Sequence, residues 1–586
     1  MEKMFGWKGK LLSINLTERS YTALYPHKDI YHKFIGGKGM AGWYLRQHCT
    51  EPWDSADIPL IFFTGPLTDT PSPTSGRFTV MSKSPLTGTV GDSSAGGRFG
   101  AEIKHAGWDG ILFTGKSKTF CGVSIKDDTV EFLDATHLRG KNISETLGAL
   151  PERGSAAAIG QAAENGALFA NISFDGESFC GRAGLGLVMA SKGLKYIRVE
   201  GSGKTEIFSR DELASGREDI FRLVSASPVL KGELGISDYG TGALYDLMNS
   251  RRMMPSYNFR ETQFHNADNM NAWNYKQRYK TRKTGCSGCH ILCKKKGKDG
   301  EHIPEFETMS HFSALIGNSD IEKVMEASNI CNEYGMDTIS AASAIACYME
   351  INKIEPDRLD LTGLLKDIAL SKGDGEILKL GSSKYASAVN HSGSSMSVKG
   401  LDLPAYDPRG AYGMALAYAT STRGGCHLRA YPISHEILRK PVATDRFSFS
   451  GKGRIIKLAE DMNAVVDSLT ACKFIFFAAS LEEYSKIFRA VTGVDMDGQD
   501  LMRVGERIYY NERIMNSMNG FTSRDDDLPE RFFKYGGTSG DGISIPPINR
   551  EEFLETRSKY YRIRGLTRDG ACTKEKCEEL ELPWIN

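Results

Sequence analysis

Gly110-Ile-Leu-Phe-Thr-Gly-Lys-Ser117 decides how the first third of the chain folds. It satisfies the phosphate-loop pattern G-x4-G-K-S letter for letter. A phosphate cradle needs an exposed, flexible loop of backbone amides ahead of a helix. The spacer Ile-Leu-Phe-Thr is instead an apolar strand, so the match is rejected and the segment reads as β-structure. Its neighbours read the same way. Lys10 to Leu16 alternates apolar and polar residues and is followed by Tyr21 to Tyr25. Ile58 to Phe63 and Arg77 to Met81 are short buried strands. Ile111 to Thr114, Gly122 to Lys126 and Thr129 to Leu133 read as a meander, turning at Asp127-Asp128. Tyr196 to Glu200 closes the β-rich part, and Gly201 to Lys204 is a plausible boundary. Gly37, Gly39 and Gly42 satisfy G-x-G-x-x-G, but Asp29 to Phe34 is a poor buried strand and no acidic residue ends a clear second strand. Tight turns account for both glycine sets.

Beyond residue 207 the period becomes helical. Ser209 and Glu212 form a capping-box signature. Ile321, Val324, Met325 and Ser328 share one helical face, a small-residue helix follows Asp337, and Ile455 to about Phe477 reads as one long helix. The fold class expected is α+β: a β-rich domain over residues 1–207, then mainly helical domains over 208–396 and 397–586.

The totals exclude several classes. The 586 residues exceed one ordinary core, and 40% hydrophobic with 25% charged residues is a globular balance. The formal net charge of zero points to neither nucleic acid nor an anionic membrane. A membrane span needs about 18 or more apolar residues, and the most apolar stretch, Ala471 to Ala479, is far shorter. The N-terminal M-E-K-M-F-G-W-K-G-K has no signal-peptide core, so a cytoplasmic protein is expected. Twelve cysteines in such a chain suggest metal ligation and buried thiols rather than disulfides.

Thr284-Gly-Cys-Ser-Gly-Cys-His-Ile-Leu-Cys-Lys-Lys-Lys296 places Cys286, Cys289 and Cys293 in a C-x2-C-x3-C array. The spacing does not match structural zinc sites. A cubane iron–sulfur cluster takes four thiolates, often several from one loop and one from afar. A zinc knuckle borrowing His290, and free cysteines near a loop, are the alternatives. Lys294 to Lys296 read as a solvated turn that could also attract an acidic electron carrier.

Five loops combine arginine with glycine: those around Arg77, Ser94 to Gly100, Arg182, Asp407 to Gly413 and Arg423 to Arg429. Arginine pairs bidentately with phosphate, and glycine-flanked amides admit a bulky anion. Singly each is more simply a turn. Together, beside a cysteine array, they point to a large phosphorylated cofactor.

The ordered motifs G-K-L-L-S-I-N-L-T, F-I-G-G-K-G, F-F-T-G-P-L-T, S-G-R-F-T-V-M-S-K-S-P-L-T-G, G-R-F-G-A-E-I-K-H-A-G-W-D-G-I, P-E-F-E-T, Y-G-M-D-T-I-S, P-A-Y-D-P-R-G and R-G-G-C-H run the length of the chain. In this the sequence resembles the tungsten-containing aldehyde:ferredoxin oxidoreductase family. The resemblance implies an N-terminal domain that seats two pterins beneath two helical domains. It implies tungsten, or molybdenum, held by two molybdopterins beside one 4Fe–4S cluster, and admits Mg2+ bridging the pterin phosphates. The family's D-S-x-x-x-C segment falls on Asp467 to Cys472, making Cys472 the fourth cluster ligand and Asp467 a pterin contact. Arg77 matches an arginine between cluster and pterin. Ser94, Ala95, Gly96, Arg182, Ala183, Asp337 and Arg429 match pterin or phosphate contacts, Arg429 standing where lysine is common. Glu307 and His427 match catalytic residues beside the metal. Implied partners are an aldehyde, ferredoxin or a small iron–sulfur subunit, and a second copy of the chain. Asn329 replaces the histidine with which some members hold an interfacial iron, which argues against that iron. Ser94 and Asn332 also depart from common family residues. Rival readings are another redox reaction on the same cofactors, such as reduction of an aromatic thioester in a multi-subunit complex, and a non-catalytic iron–sulfur relay.

Overall fold

Alternation along the first strands divides their side chains between two cores. The computed structural model describes residues 4–584; Met1 to Lys3, at the head of the N-terminal stretch read above, lie outside the described residues. Strands β1 (Leu11–Asn15), β2 (Ser20–Leu24), β3 (Leu60–Phe63), β4 (Phe78–Lys83), β5 (Val90–Ala95) and β6 (Gly110–Thr114) form one sheet in the order β2-β1-β6-β3-β4-β5. Leu12, Ile14, Leu60 and Phe62 enter one apolar cluster, while Leu11, Ile61 and Phe63 enter another on the opposite face. Successive strand residues point to opposite faces, so this sheet is buried on both sides.

A second sheet lies against the first. It contains β7 (Cys121–Lys126), β8 (Thr129–Asp134), β9 (Ser155–Ala158), β10 (Ile172–Phe174), β11 (Ser178–Cys180) and β12 (Leu194–Glu200), in the order β11-β10-β9-β12-β7-β8. The sheets are joined by aromatic rings: Phe174 on β10 lies 4.7 Å from Phe78 on β4 and 5.0 Å from Phe99, with centroids edge-on or tilted. Truncating such a buried ring costs about 3–5 kcal/mol. The expected three-strand meander is therefore corrected. Gly110–Thr114 pairs with β1 and β3 in the first sheet, and only the next two strands form a hairpin, in the second. Its apolar residues alone could not say which sheet they join.

The rest is mainly helical, so the α+β class holds. Ser209 caps the helix Arg210–Ala226 through the amide of Glu212, and Asp337 caps Thr338–Asn352. Among the described residues no helix is long and apolar enough to cross a membrane.

Two further expectations are corrected. Gly37, Gly39 and Gly42 are not in a turn; they lie on the helix Gly37–Arg46. A Cβ at Gly37 would sit 2.3 Å from the carbonyl oxygen of Asp467, so the helix admits the Asp467–Leu469 backbone into contact. The amide of Gly39 also donates to Ser468 Oγ at 3.0 Å. The second concerns the long C-terminal helix. It spans Lys452–Leu469 and stops where Thr470 takes φ 62°, followed by a short 3-10 turn over Lys473–Phe477. That stop turns the chain at Ala471-Cys472 toward the site instead of carrying it onward as helix.

Candidate functional site

The two sheets and the helical part enclose a cavity of about 470 Å3, and most of the residues singled out in the sequence line it. Arg282–Thr284 and Lys294–Lys296 pair as a small antiparallel hairpin, and the cysteine array is its loop. The three lysines are thus strand, not a solvated turn. Lys295 is buried, and Lys294 donates to Ser178 Oγ at 2.9 Å. Cys286, Cys289, Cys293 and Cys472 all line the cavity. His290 does not: its ring lies 4.4 Å from that of Phe221. This placement favours four thiolates over the His290 knuckle. Burial pushes the Cys289 thiol up and the Cys472 thiol up to about 11, so as free thiols they are protonated; a metal must displace those protons.

Arg77 stands at this cysteine group. Its Nε donates to Ser94 Oγ at 3.0 Å and its Nη2 to the Ser94 carbonyl at 2.6 Å. Burial would lower the Arg77 pKa, but the surrounding Cys472, Cys286 and Asp467 outweigh it and raise it. Ser94, Ala95 and Gly96 follow along the same wall. A Cβ at Gly96 would lie 2.2 Å from Cys286 Sγ, so any larger residue here would push that sulfur aside.

Further round the wall Arg182 Nε sits 3.4 Å from Asp337 Oδ2, and its Nη2 donates to the Asp402 carbonyl at 2.6 Å. Asp337 begins the helix Thr338–Asn352, whose N-terminal dipole favours an anion. Arg429 grips the Asp92 carboxylate, and Asp467 pairs with Lys473. All of these side chains line the cavity. Ala183, at φ 73°, is beside the cavity but is not among its lining residues; its carbonyl accepts from Ser84 Oγ at 2.9 Å.

Glu307 and His427 meet across the cavity. Glu307 is in the first turn of the helix Phe306–Phe312, and its Oε2 accepts the Ala405 amide at 2.9 Å. Its Oε1 lies 3.5 Å from His427 Nε2. Burial pushes the Glu307 carboxyl up to about 8, against the pull of Ala405 and Arg182. Burial, reinforced by Arg182 and Arg423, holds the His427 imidazole well below its ordinary range. Glu307 Oε1, His427 Nδ1 and Arg182 Nε are all buried without a hydrogen-bond partner. Such atoms are costly unless a ligand satisfies them.

Two family models match most of the chain: the aldehyde ferredoxin oxidoreductase N-terminal domain over residues 11–201, and domains 2 and 3 of the same family over residues 216–582. The chain belongs to the aldehyde ferredoxin oxidoreductase family. It is 36% identical, over 98% of its length and 99% of the relative's, to a tungsten-containing aldehyde ferredoxin oxidoreductase of Thermococcus kodakarensis. It is 26% identical to the WOR-like subunit of an aliphatic sulfonate oxidoreductase of Pyrococcus furiosus, over 98% of this chain and 97% of that one. Its fold matches the active-site complex of benzoyl coenzyme A reductase with 1,5-dienoyl-CoA at a TM-score of 0.83 and 22% identity, covering 99% and 98% of the two chains. Family membership implies a tungsten–pterin centre and an iron–sulfur cluster. The lining of the cavity carries donors of the kinds both groups need: four cysteine thiols, and arginines beside the unpartnered buried atoms of Glu307, His427 and Arg182.

Sequence reasoning did not find Asp92, Lys473, Tyr406, Tyr431 or His311. His311 is fully buried one helical turn from Glu307, with Nδ1 2.7 Å from the Glu307 carbonyl oxygen. The i, i+4 spacing of Glu307 and His311 was legible. Tyr406 stands within P-A-Y-D-P-R-G, but nothing in that motif says its ring faces the cavity; Asp92, Lys473 and Tyr431 lie just outside the quoted motifs.

Proposed function

We propose that this chain oxidises an aldehyde to its carboxylic acid and passes the electrons through one 4Fe–4S cluster to a ferredoxin or a small iron–sulfur subunit in the cytoplasm. The observation that carries the reading is the Glu307–His427 pair, 3.5 Å apart, each with an unpartnered buried atom at the cavity. Cys286, Cys289, Cys293 and Cys472 would hold the cluster. Arg77, Ser94, Ala95, Gly96, Arg182, Asp337, Arg429 and Asp467 would hold two molybdopterins and any accompanying Mg2+. When bound, a tungsten held by the pterin dithiolenes supplies a two-electron acceptor, and the cluster supplies a one-electron exit.

The side chains supply proton handling. Aldehyde and water give acid, two electrons and two protons, so a base must take protons from the water or hydrate. With its pKa near 8, Glu307 is poised to accept and release a proton near neutral pH. His427, kept neutral, can offer one N–H to the carbonyl oxygen without placing a buried charge there. Tyr406 and Tyr431, whose hydroxyls lie 3.2 Å apart, close the same corner.

The approach to that corner is aromatic. Ring centroids run Phe306 to Tyr406 at 5.3 Å, Tyr406 to His427 at 5.4 Å, Tyr431 to Phe477 at 5.9 Å and Phe477 to Phe474 at 6.1 Å. This wall suits an aldehyde with an apolar, planar body. The test is an anaerobic assay of metal-replete enzyme with aryl, alkyl and hydroxylated aldehydes, read by acceptor reduction and acid formation. Acid formed in step with acceptor reduction supports the reading. Inactivity on every aldehyde, with turnover of an aromatic thioester, replaces it with the ring-reduction reading.

A further inference from the structure

One buried nucleophile in the arginine–glycine segment has no part in the chemistry above. Cys426 is only 1% exposed and does not line the cavity, whereas Arg423 and His427 on either side of it do. Three N–H groups converge on its sulfur: Arg423 Nε at 3.1 Å, Arg423 Nη2 at 3.0 Å and the Leu428 amide at 3.3 Å. Among the described residues the sulfur only accepts, and its own S–H meets no acceptor. A neutral thiol is a weak acceptor with one proton to place. Three donors and no acceptor describe an anion.

The surrounding charges give a second, independent reason. Arg423 Nη1 donates to the Asp92 carbonyl at 2.6 Å, and Arg429 grips the Asp92 carboxylate. Lys38 lies 4.0 Å from Asp92 and 2.7 Å from Glu512, and Arg429 lies 3.4 Å from Glu512. All five side chains are buried. Lys38, Arg423 and Arg429 are cationic; Asp92 and Glu512 are anionic. One positive charge is left over among buried side chains, where an unpaired charge is expensive. A thiolate at Cys426 brings the six groups to neutrality.

We propose that Cys426 is a resident thiolate that fixes the Arg423 guanidinium at the cavity wall, making it a positioning residue for cofactor retention. Arg423 carries five N–H donors. Two meet the sulfur and one meets Asp92, which leaves two for an anionic ligand in the cavity. The other charged or titratable groups facing the thiolate are Arg429 and Arg182, which favour it, and Glu307 and Tyr418, which do not when ionised. Burial would raise the thiol, but the three guanidinium groups outweigh it and hold it below its ordinary value.

The protonation state is read directly from the S–H stretching band in Raman spectra of the anaerobically purified holoenzyme. Wild type and Cys426→Ser should show the same S–H intensity per chain, because the residue replaced carries no S–H. Loss of one thiol's worth of band in Cys426→Ser overturns the assignment. Arg423→Gln gives an independent arm should the serine variant fail to fold: removing the guanidinium should add an S–H band, and an unchanged band again overturns it. The retention role rests on the cofactor reading above, whereas the Raman result does not. For retention, Cys426→Ser should bind less tungsten and pterin per chain than wild type. Equal loading, in a variant whose Raman spectrum shows that a thiolate was removed, overturns the positioning role while leaving the charge assignment intact.

Discussion

Glu307 Oε1 and His427 Nε2 face each other at 3.5 Å, from a helix N-terminus and from a glycine-rich loop 120 residues further along the chain. Because burial lifts Glu307 to about 8, its conjugate base grows as pH rises through that value. Activity that needs the carboxylate should therefore climb between about pH 7 and 9. Glu307→Gln should lower kcat by about 10^2- to 10^4-fold and abolish the climb. A Gln variant that keeps the wild-type pH profile removes Glu307 from the proton path.

The same shift makes a stability prediction. The folded pKa lies above that of a free carboxyl, so between the two values the folded state binds more protons than the unfolded one. This contribution is fully present at acid pH and lost as pH rises through about 8. Denaturant titrations of the cofactor-free protein should show wild type losing stability relative to Glu307→Gln over that window.

Cys472 supplies a separate test, because it lies far in sequence from the array. Cys472→Ser should lower iron from about four per chain and remove the cluster's visible absorption, as should Cys289→Ser. Cys577→Ser, at a buried cysteine that does not line the cavity, should leave iron unchanged. Full iron in Cys472→Ser would mean that the fourth ligand lies elsewhere.

Much of this site was legible in the sequence because its chemistry is written in short, fixed spacings. C-x2-C-x3-C, P-E-F-E-T and R-G-G-C-H each carry their residue types within one loop or helical turn. Five of the six strands of the first sheet were legible because alternation and short apolar runs are local; Val90–Ala95 was not, and its Ser94 and Ala95, read as loop residues, are strand. What escaped was set by tertiary contact. Nothing within Gly110–Thr114 tells which sheet it joins, and nothing local marks Thr470 as the left-handed stop that frees Cys472 from a helix. The glycines of the Gly37–Arg46 helix resembled a turn because the backbone they admit, at Asp467, lies hundreds of residues away. Asp92 and Lys473 acquire their roles only from the charges that fold against them.

Gly96 tests whether the cysteine loop and the cofactor wall depend on each other. An added Cβ would lie 2.2 Å from Cys286 Sγ, well inside van der Waals contact. Gly96→Ala should therefore displace Cys286 and cost iron, although it removes no ligand. Overpacking of this kind typically costs about 1–3 kcal/mol, so the variant should still fold at moderate temperature. Normal iron content and an unchanged cluster spectrum in Gly96→Ala would show that the loop yields without consequence.

The aromatic wall gives the last prediction, which concerns selectivity. Tyr431 takes φ 51°, an uncommon conformation for a non-glycine residue, and this sets its ring 5.9 Å from Phe477 and 6.0 Å from His427. If the wall receives the apolar body of the substrate, Phe477→Ala should reduce kcat/KM for an aryl aldehyde by about tenfold, the effect of one ring contact of roughly 1.4 kcal/mol. The loss should appear mainly in KM, since the ring touches no reacting atom. A short alkyl aldehyde, which cannot span the wall, should lose much less. Tyr431→Phe keeps the ring and removes the hydroxyl beside Tyr406. It should therefore spare KM for the aryl substrate and lower kcat for both. Equal losses for both aldehydes in Phe477→Ala would assign the ring to packing around the site and leave selectivity to other residues.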